Sequence, residues 1–248
     1  MSDNILEQFA IKPIVPLHLG SLDISFTQAS AFMLFGAALT ITLMTLSVRR
    51  KALIPGRWQN LSEILYESIF GLTKEYLNDE AWKYFPFVFT VFMIVLMGNV
   101  LGLIPFAYTY TSQIIVTGAL AALIVGFATL VGFIRHGLHF FSLFFPKGTP
   151  LVMAPFIIPV EIISYLSRPV SLAIRLCLNM VMGHMLMRLI GGFCVTMIAL
   201  GIGLKLFTAV TFSVNTLLMA LECLVALIQA HVFAVLTCVY LKDGVELH

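Results

Sequence analysis

Charge is scarce in this chain. Of its 248 residues only 10% are Asp, Glu, Lys or Arg, against about 25% in an ordinary soluble domain. The net charge of +2 is too small to argue for nucleic acid, and no such partner is expected. Cysteine is sparse as well. Cys177, Cys194, Cys223 and Cys238 form no CxxC pair and no zinc-type spacing, so they read as small apolar packing residues and no metal site is expected. Aspartate is missing from every apolar stretch, since Asp3, Asp23, Asp79 and Asp243 all lie outside them; this speaks against an aspartyl protease acting within a membrane. There is no HExxH and no GxxxxGK[ST], so the chain by itself should neither bind nor cleave ATP, and no cofactor is expected. The first residues carry no basic segment followed by an apolar core, so no cleaved signal peptide is expected.

What is abundant is apolar length. The chain is 60% hydrophobic, and several runs exceed the roughly 20 residues that cross about 30 Å of hydrocarbon. Short alternating segments, as in an outer-membrane barrel, do not occur. The expected fold class is an all-α polytopic membrane protein. It forms a single integral membrane domain over 1–248. Residues 1–24, with Pro13, Pro16 and Gly20, form an extended N-terminal arm. Spans are expected at 26–48, 85–108 and 112–134. Between the first two, Leu61, Ile64, Leu65, Ile69, Leu72 and Tyr76 fall at helical spacing on one side, with Glu63, Glu67 and Lys74 elsewhere. This predicts an amphipathic helix over 58–80, lying on the membrane surface. Phe140 to Phe145 is too short to cross and predicts a dip into the interface. Segments 151–190 and 203–241 are each near 40 residues, about twice the length a perpendicular crossing needs. They predict a hairpin of two long, strongly tilted helices, turning at Gly191-Gly192, Gly201 and Gly203.

Basic residues give the orientation. Arg49, Arg50, Lys51 and Arg57 follow the first span, and Arg135 and Lys147 follow the third. Two crossings separate these loops, so they share the cytoplasmic face and the N-terminus lies outside.

Against this apolar background a few polar residues stand out. Arg175 sits in Ser171-Leu172-Ala173-Ile174-Arg175-Leu176-Cys177-Leu178. A guanidinium stays charged at any biological pH, and burying it in hydrocarbon is costly unless water or polar groups meet it. Glu161, Arg168 and Arg175 are spaced by seven, with Asn179 four further on. Seven residues is almost two turns, so they share a slowly drifting stripe. On the second long segment Thr208, Asn215, Glu222 and Gln229 repeat that spacing. Polar glue between helices accounts for Thr208 and Asn215 but not for Arg175 and Glu222, whose burial costs far more. Arg168, before Pro169, suits an interfacial anchor as well as a functional role. His184 alone would be a structural histidine. Paired with Glu222 on the neighbouring helix it suits a proton relay. A secondary transporter should show paired repeats and broken helices about a midplane site, and neither is present.

The stretch Glu161-Ile162-Ile163-Ser164-Tyr165-Leu166-Ser167-Arg168-Pro169-Val170-Ser171-Leu172-Ala173-Ile174-Arg175-Leu176, with Asn179-Met180 and Gly183-His184, resembles the signature of subunit a of F-type ATP synthases. Leu227 to Thr237, LIQAHVFAVLT, resembles the family's second motif, and Gly98-Asn99 with Gly102-Leu103-Ile104-Pro105 and Arg135-His136-Gly137-Leu138 extend the likeness. The pattern is most similar to alphaproteobacterial or mitochondrial members. The resemblance implies a non-catalytic, proton-translocating subunit with two offset aqueous half-channels facing a rotating ring of c subunits. Its other implied partners are b-type peripheral stalk subunits, the remaining ATP synthase subunits and the lipid bilayer. It implies a place in the bacterial inner membrane, with the mitochondrial inner membrane as the alternative. Arg175 matches the family's essential arginine and Gln229 the glutamine near it. Glu161 matches a carboxylate of the cytoplasmic half-channel, and His184 and Glu222 match a proton-accepting pair of the outer one. Asn179 and His231 complete the implied proton path, His231 standing where Tyr is usual. Cys177, Leu178 and Met182 also depart from the usual residues.

Overall fold

The computed structural model describes residues 25–49, 56–104, 108–137, 154–199 and 205–245, with Phe140 and short pieces of the N-terminal arm. The expected interfacial dip beyond Phe140, the glycines Gly201 and Gly203, and Arg50, Lys51 and Lys147 lie outside the described residues, as does the side chain of Thr208.

In the arm, β1 (Pro13–Val15) pairs antiparallel with β4 (Phe26–Thr27) and β2 (His18–Leu19) with β3 (Leu22–Asp23). The extended arm thus folds back on itself before the first helix. Thr27 Oγ1 then accepts from the Ser30 amide at 3.4 Å, meeting one of the unpaired amides of a helix start. Helix α1 (Gln28–Arg49) follows.

Helix α2 (Arg57–Leu77) buries Ser62, Ile69, Thr73 and Leu77 and exposes Glu63, Glu67, Lys74 and Glu75, but Leu61 and Ile64 of the expected apolar side are exposed as well. It ends at Asn78, whose φ of 47° is a conformation asparagine tolerates better than most residues. The chain reverses through one 3₁₀ turn (Asn78–Glu80) into α3 (Ala81–Gly102). Tyr66 then meets Phe85 and Phe89, and Phe70 meets Trp82 and Phe85, so the two helices run antiparallel with aromatic rings interleaved.

Helix α3 is buried along most of its length by α1, α2 and α6. Its end corrects the expected span, which ran on to Tyr108. Pro105 has no amide to donate and disfavours helix at Ile104 before it, and the helix stops at Gly102. A buried turn at Tyr110–Ser112 leads into α4 (Ile114–His136).

Helices α5 (Ala154–Ala199, 46 residues) and α6 (Lys205–Val245, 41 residues) run past the C-terminal bounds expected for them. Helix α5 runs unbroken through Gly191-Gly192, where the sequence predicts a turn. Each glycine costs a helix about 1 kcal/mol, too little to stop it where lipid offers the backbone no other hydrogen-bond partners. Five helical stretches among the described residues are long and apolar enough to cross a membrane.

The contacts sort the molecule into two ends. At one, Arg135 on α4 donates to the Glu80 carboxylate, and His136 Nε2 lies 3.1 Å from the Val245 carbonyl at the end of α6. At the other, the Tyr108–Ser112 turn packs on the start of α1 through Phe32 and Tyr108. Between them Val88 and Val95 of α3, Ile124 of α4, Leu172 and Leu176 of α5, and Phe233 of α6 form a common core.

Candidate functional site

Two contacts set the register of α5 against α6. The Tyr165 and Tyr240 rings meet edge to face with centroids 4.9 Å apart, and Tyr240 Oη donates to the Tyr165 carbonyl at 2.7 Å. Eighteen residues onward on α5, and eighteen back on α6, Gly183 meets Glu222. The helices are therefore antiparallel without slippage between these points, and Arg175 stands level with Ala230. Gln229 follows at the level of Leu176, so the register brings the Arg175 and Gln229 positions to one height. Glu161 falls level with Gly244, near the Arg135 end. Glu222 and His184 fall toward the Tyr108–Ser112 end.

Arg175 is exposed and makes no ion pair or hydrogen bond among the described residues of this chain. It shares its face of α5 with exposed Arg168, Ser171, Leu178 and Met182. A permanent cation thus stands exposed on this helix, without a partner among the described residues. Arg168 is exposed too, and Glu161 is half-buried. His231, beside Ala230, is exposed.

The α6 side is the opposite. Glu222 is 7% exposed and Gln229 5%. Both carboxylate oxygens of Glu222, Gln229 Oε1 and Asn215 Oδ1 are buried without a hydrogen-bond partner among the described residues. A buried oxygen left so costs about 1–3 kcal/mol unless water meets it. Three such residues at seven-residue spacing make one polar line through the apolar helix. Asn99 on α3 joins it. Its Nδ2 donates to the Ala226 carbonyl at 3.2 Å, one turn from Glu222, while its Oδ1 stays unpartnered.

Glu222 also borders a cavity of about 420 Å³, walled by Asn179, Met182, Met185, Leu186 and Leu218 among others. Gly183 makes this possible: a methyl group there would overlap Glu222 Oε1. His184, half-buried, has its Nε2 3.1 Å from Thr109 Oγ1, and Glu222 makes no hydrogen bond to it. No three His, Cys, Asp or Glu side chains gather as a metal site among the described residues. Asn99 was an amide in an apolar run and could have been counted with the α6 line. Thr109 carried no signal, since a threonine between two spans is commonplace.

A family model described as the ATP synthase A chain matches residues 30–242. The chain belongs to that family. ATP synthase subunit a of Paramagnetospirillum magneticum is 47% identical over 248 residues, covering 99% of each chain. That of Granulibacter bethesdensis is 49% identical over 226 residues, covering 91% of this chain and 90% of the relative. That of Rhodospirillum rubrum is 43% identical over 243 residues, 98% of both. The family match takes in every candidate site residue from Glu161 to His231.

Proposed function

We propose that this chain is the proton-translocating subunit a of an F-type ATP synthase in a bacterial inner membrane, with its N-terminus outside. It faces a ring of c subunits with the Arg175 face of α5 and has b-type stalk subunits as further partners. One aqueous half-channel reaches the Glu222 end of the seam and the other the Glu161 end. The chain catalyses no reaction itself. The observation that carries this reading is the seam. A cation unpaired among the described residues stands on an exposed face of α5, level with Gln229, between a buried carboxylate at one end and a half-buried one at the other.

The physics follows from that placement. A carboxylate carried past on a partner loses its proton near Arg175, because the cation stabilises the ionised form. Once past it, in lipid, the same carboxylate must take up a proton to avoid an unpaired buried charge. Arg175 also repels a proton moving straight from one half-channel to the other. Entry from one side and exit to the other then bias the partner's motion, with about 2.3 kcal/mol available per charge across 100 mV. His184, Glu222 and Asn179 line the outer route, Glu161 the inner one. Gln229 and His231 lie at the level of Arg175.

The test is copurification from membranes followed by mass spectrometry, with proton pumping by the same preparation in inverted vesicles. The reading requires c and b subunits in the complex and ATP-driven acidification. A complex lacking c subunits overturns it.

A further inference from the structure

The turn between α3 and α4 is an unusual element at a membrane end, because it is buried. Tyr108, Thr109, Tyr110, Thr111 and Ser112 are all 7% exposed or less. Each neighbour ties it down. Tyr110 Oη donates to the Ile94 carbonyl at 2.9 Å. Ser112 Oγ donates to the Thr109 carbonyl at 2.6 Å. Cys177 Sγ on α5 donates to the Ser112 carbonyl at 2.9 Å. Gly102 leaves room for Thr109, since a methyl group there would come within 2.6 Å of Thr109 Cγ2 and 2.8 Å of its Oγ1. The turn is thus a fixed platform that spans α3 and α5 and delivers one hydroxyl to His184 Nε2 at 3.1 Å.

The geometry points to Thr109 as a positioning residue that orients the His184 imidazole for proton transfer. This rests on the reading of His184 as a proton-accepting group of the outer half-channel. The chemistry of the hydroxyl fits the task. A neutral imidazole nitrogen accepts a hydrogen bond, and a protonated one donates. A hydroxyl does both, so Thr109 keeps its bond through a full cycle of proton gain and loss by rotating its own hydrogen. An ammonium could only donate, and a carboxylate would trap the charged form. The Thr109 methyl and hydroxyl both pack on Gly102, but only the hydroxyl reaches the imidazole. Hydroxyl and methyl can therefore be removed one at a time.

The test uses the whole complex in inverted vesicles, reading the initial rate of ATP-driven acidification per assembled complex. Thr109→Val keeps the shape and loses the hydroxyl, and should slow pumping about five-fold, the worth of one ordinary hydrogen bond. Thr109→Ser keeps the hydroxyl and loses the methyl, and should retain most of the rate. In a His184→Ala background Thr109→Val should add no further loss, because its effect passes through the imidazole. If Thr109→Val reduces assembly, Thr109→Ala, smaller than the native side chain, supplies the same comparison. Full pumping by Thr109→Val beside a defective His184→Ala overturns the positioning role and leaves the role of His184 standing. Additive losses in the double variant, or a defect in Thr109→Ser equal to that of Thr109→Val, also overturn it. Full activity of His184→Ala removes the reading of His184 and this inference with it.

Discussion

The Glu222 carboxylate lies against the bare Cα of Gly183, across the seam between the two longest helices. This pins α6 to α5 at the point where a buried acid borders a cavity. Gly183→Ala should push the carboxylate away, and overpacking of this kind costs about 1–3 kcal/mol. Passive proton conduction through the membrane sector should fall. Adding Glu222→Asp, one methylene shorter, should restore part of it. Equal conduction by Gly183→Ala and the parent would show that the contact places no constraint on the acid.

Arg175→Ala should abolish ATP-driven acidification of inverted vesicles while c and b subunits still copurify. Arg175→Lys should fail as well, because an ammonium lacks the planar fork and can lose its proton where water is excluded. A fully assembled Arg175→Ala complex that pumps at the normal rate would remove the central assignment.

Glu222 lies against Gly183, the neighbour of His184 on the facing helix, and no hydrogen bond joins the two side chains. Single replacement of either by Ala or Gln should slow proton transport. The exchange His184→Glu with Glu222→His should recover part of the rate, since it restores one base and one acid at the same site. A double variant no faster than the slower single one would leave the two residues acting independently.

Glu161 and Glu222 should be wetted from opposite faces of the membrane. With each in turn replaced by cysteine in a cysteine-free background, a membrane-impermeant thiol reagent should label the Glu161 position from the cytoplasmic side only. The Glu222 position should react from the outside only. Labelling of both from one side would refute the offset half-channels, whatever the phenotype of Arg175.

The candidate polar residues were legible because an ionisable group in a long apolar run has so few structural uses. Arg175 and Glu222 stand out by cost alone, whereas His184 drew notice only through its pairing with Glu222. The amphipathic helix was legible from the spacing of Ile69 and Leu72 against Glu63 and Glu67. The register was not. That Tyr165 meets Tyr240 and Gly183 meets Glu222 depends on how small and large residues of two distant segments interlock, and no single-helix period carries that information. Hydropathy alone also misplaced helix ends. It overran Pro105, whose backbone decides the end of α3, and it stopped α5 at a glycine pair the helix tolerates. Thr109 acquires meaning only once the turn is folded under α5.

Helix α5 is about 69 Å long, yet hydrocarbon and headgroups together span only about 40–45 Å. Kept within that slab, a straight helix of this length leans roughly 50° or more from the membrane normal. On such a slope, distance along the axis becomes distance in the plane. The levels of Glu161 and Gly183 are about 33 Å apart along α5, which at that lean projects to about 25 Å sideways and about 21 Å in depth. On the proposed reading, the Glu161 and Glu222 ends of the seam are therefore offset in the membrane plane at least as far as in depth. Under that proposal a proton entering at one end and leaving at the other has to be carried sideways in between, and the slant of one helix would give a voltage across the membrane a component of motion within it.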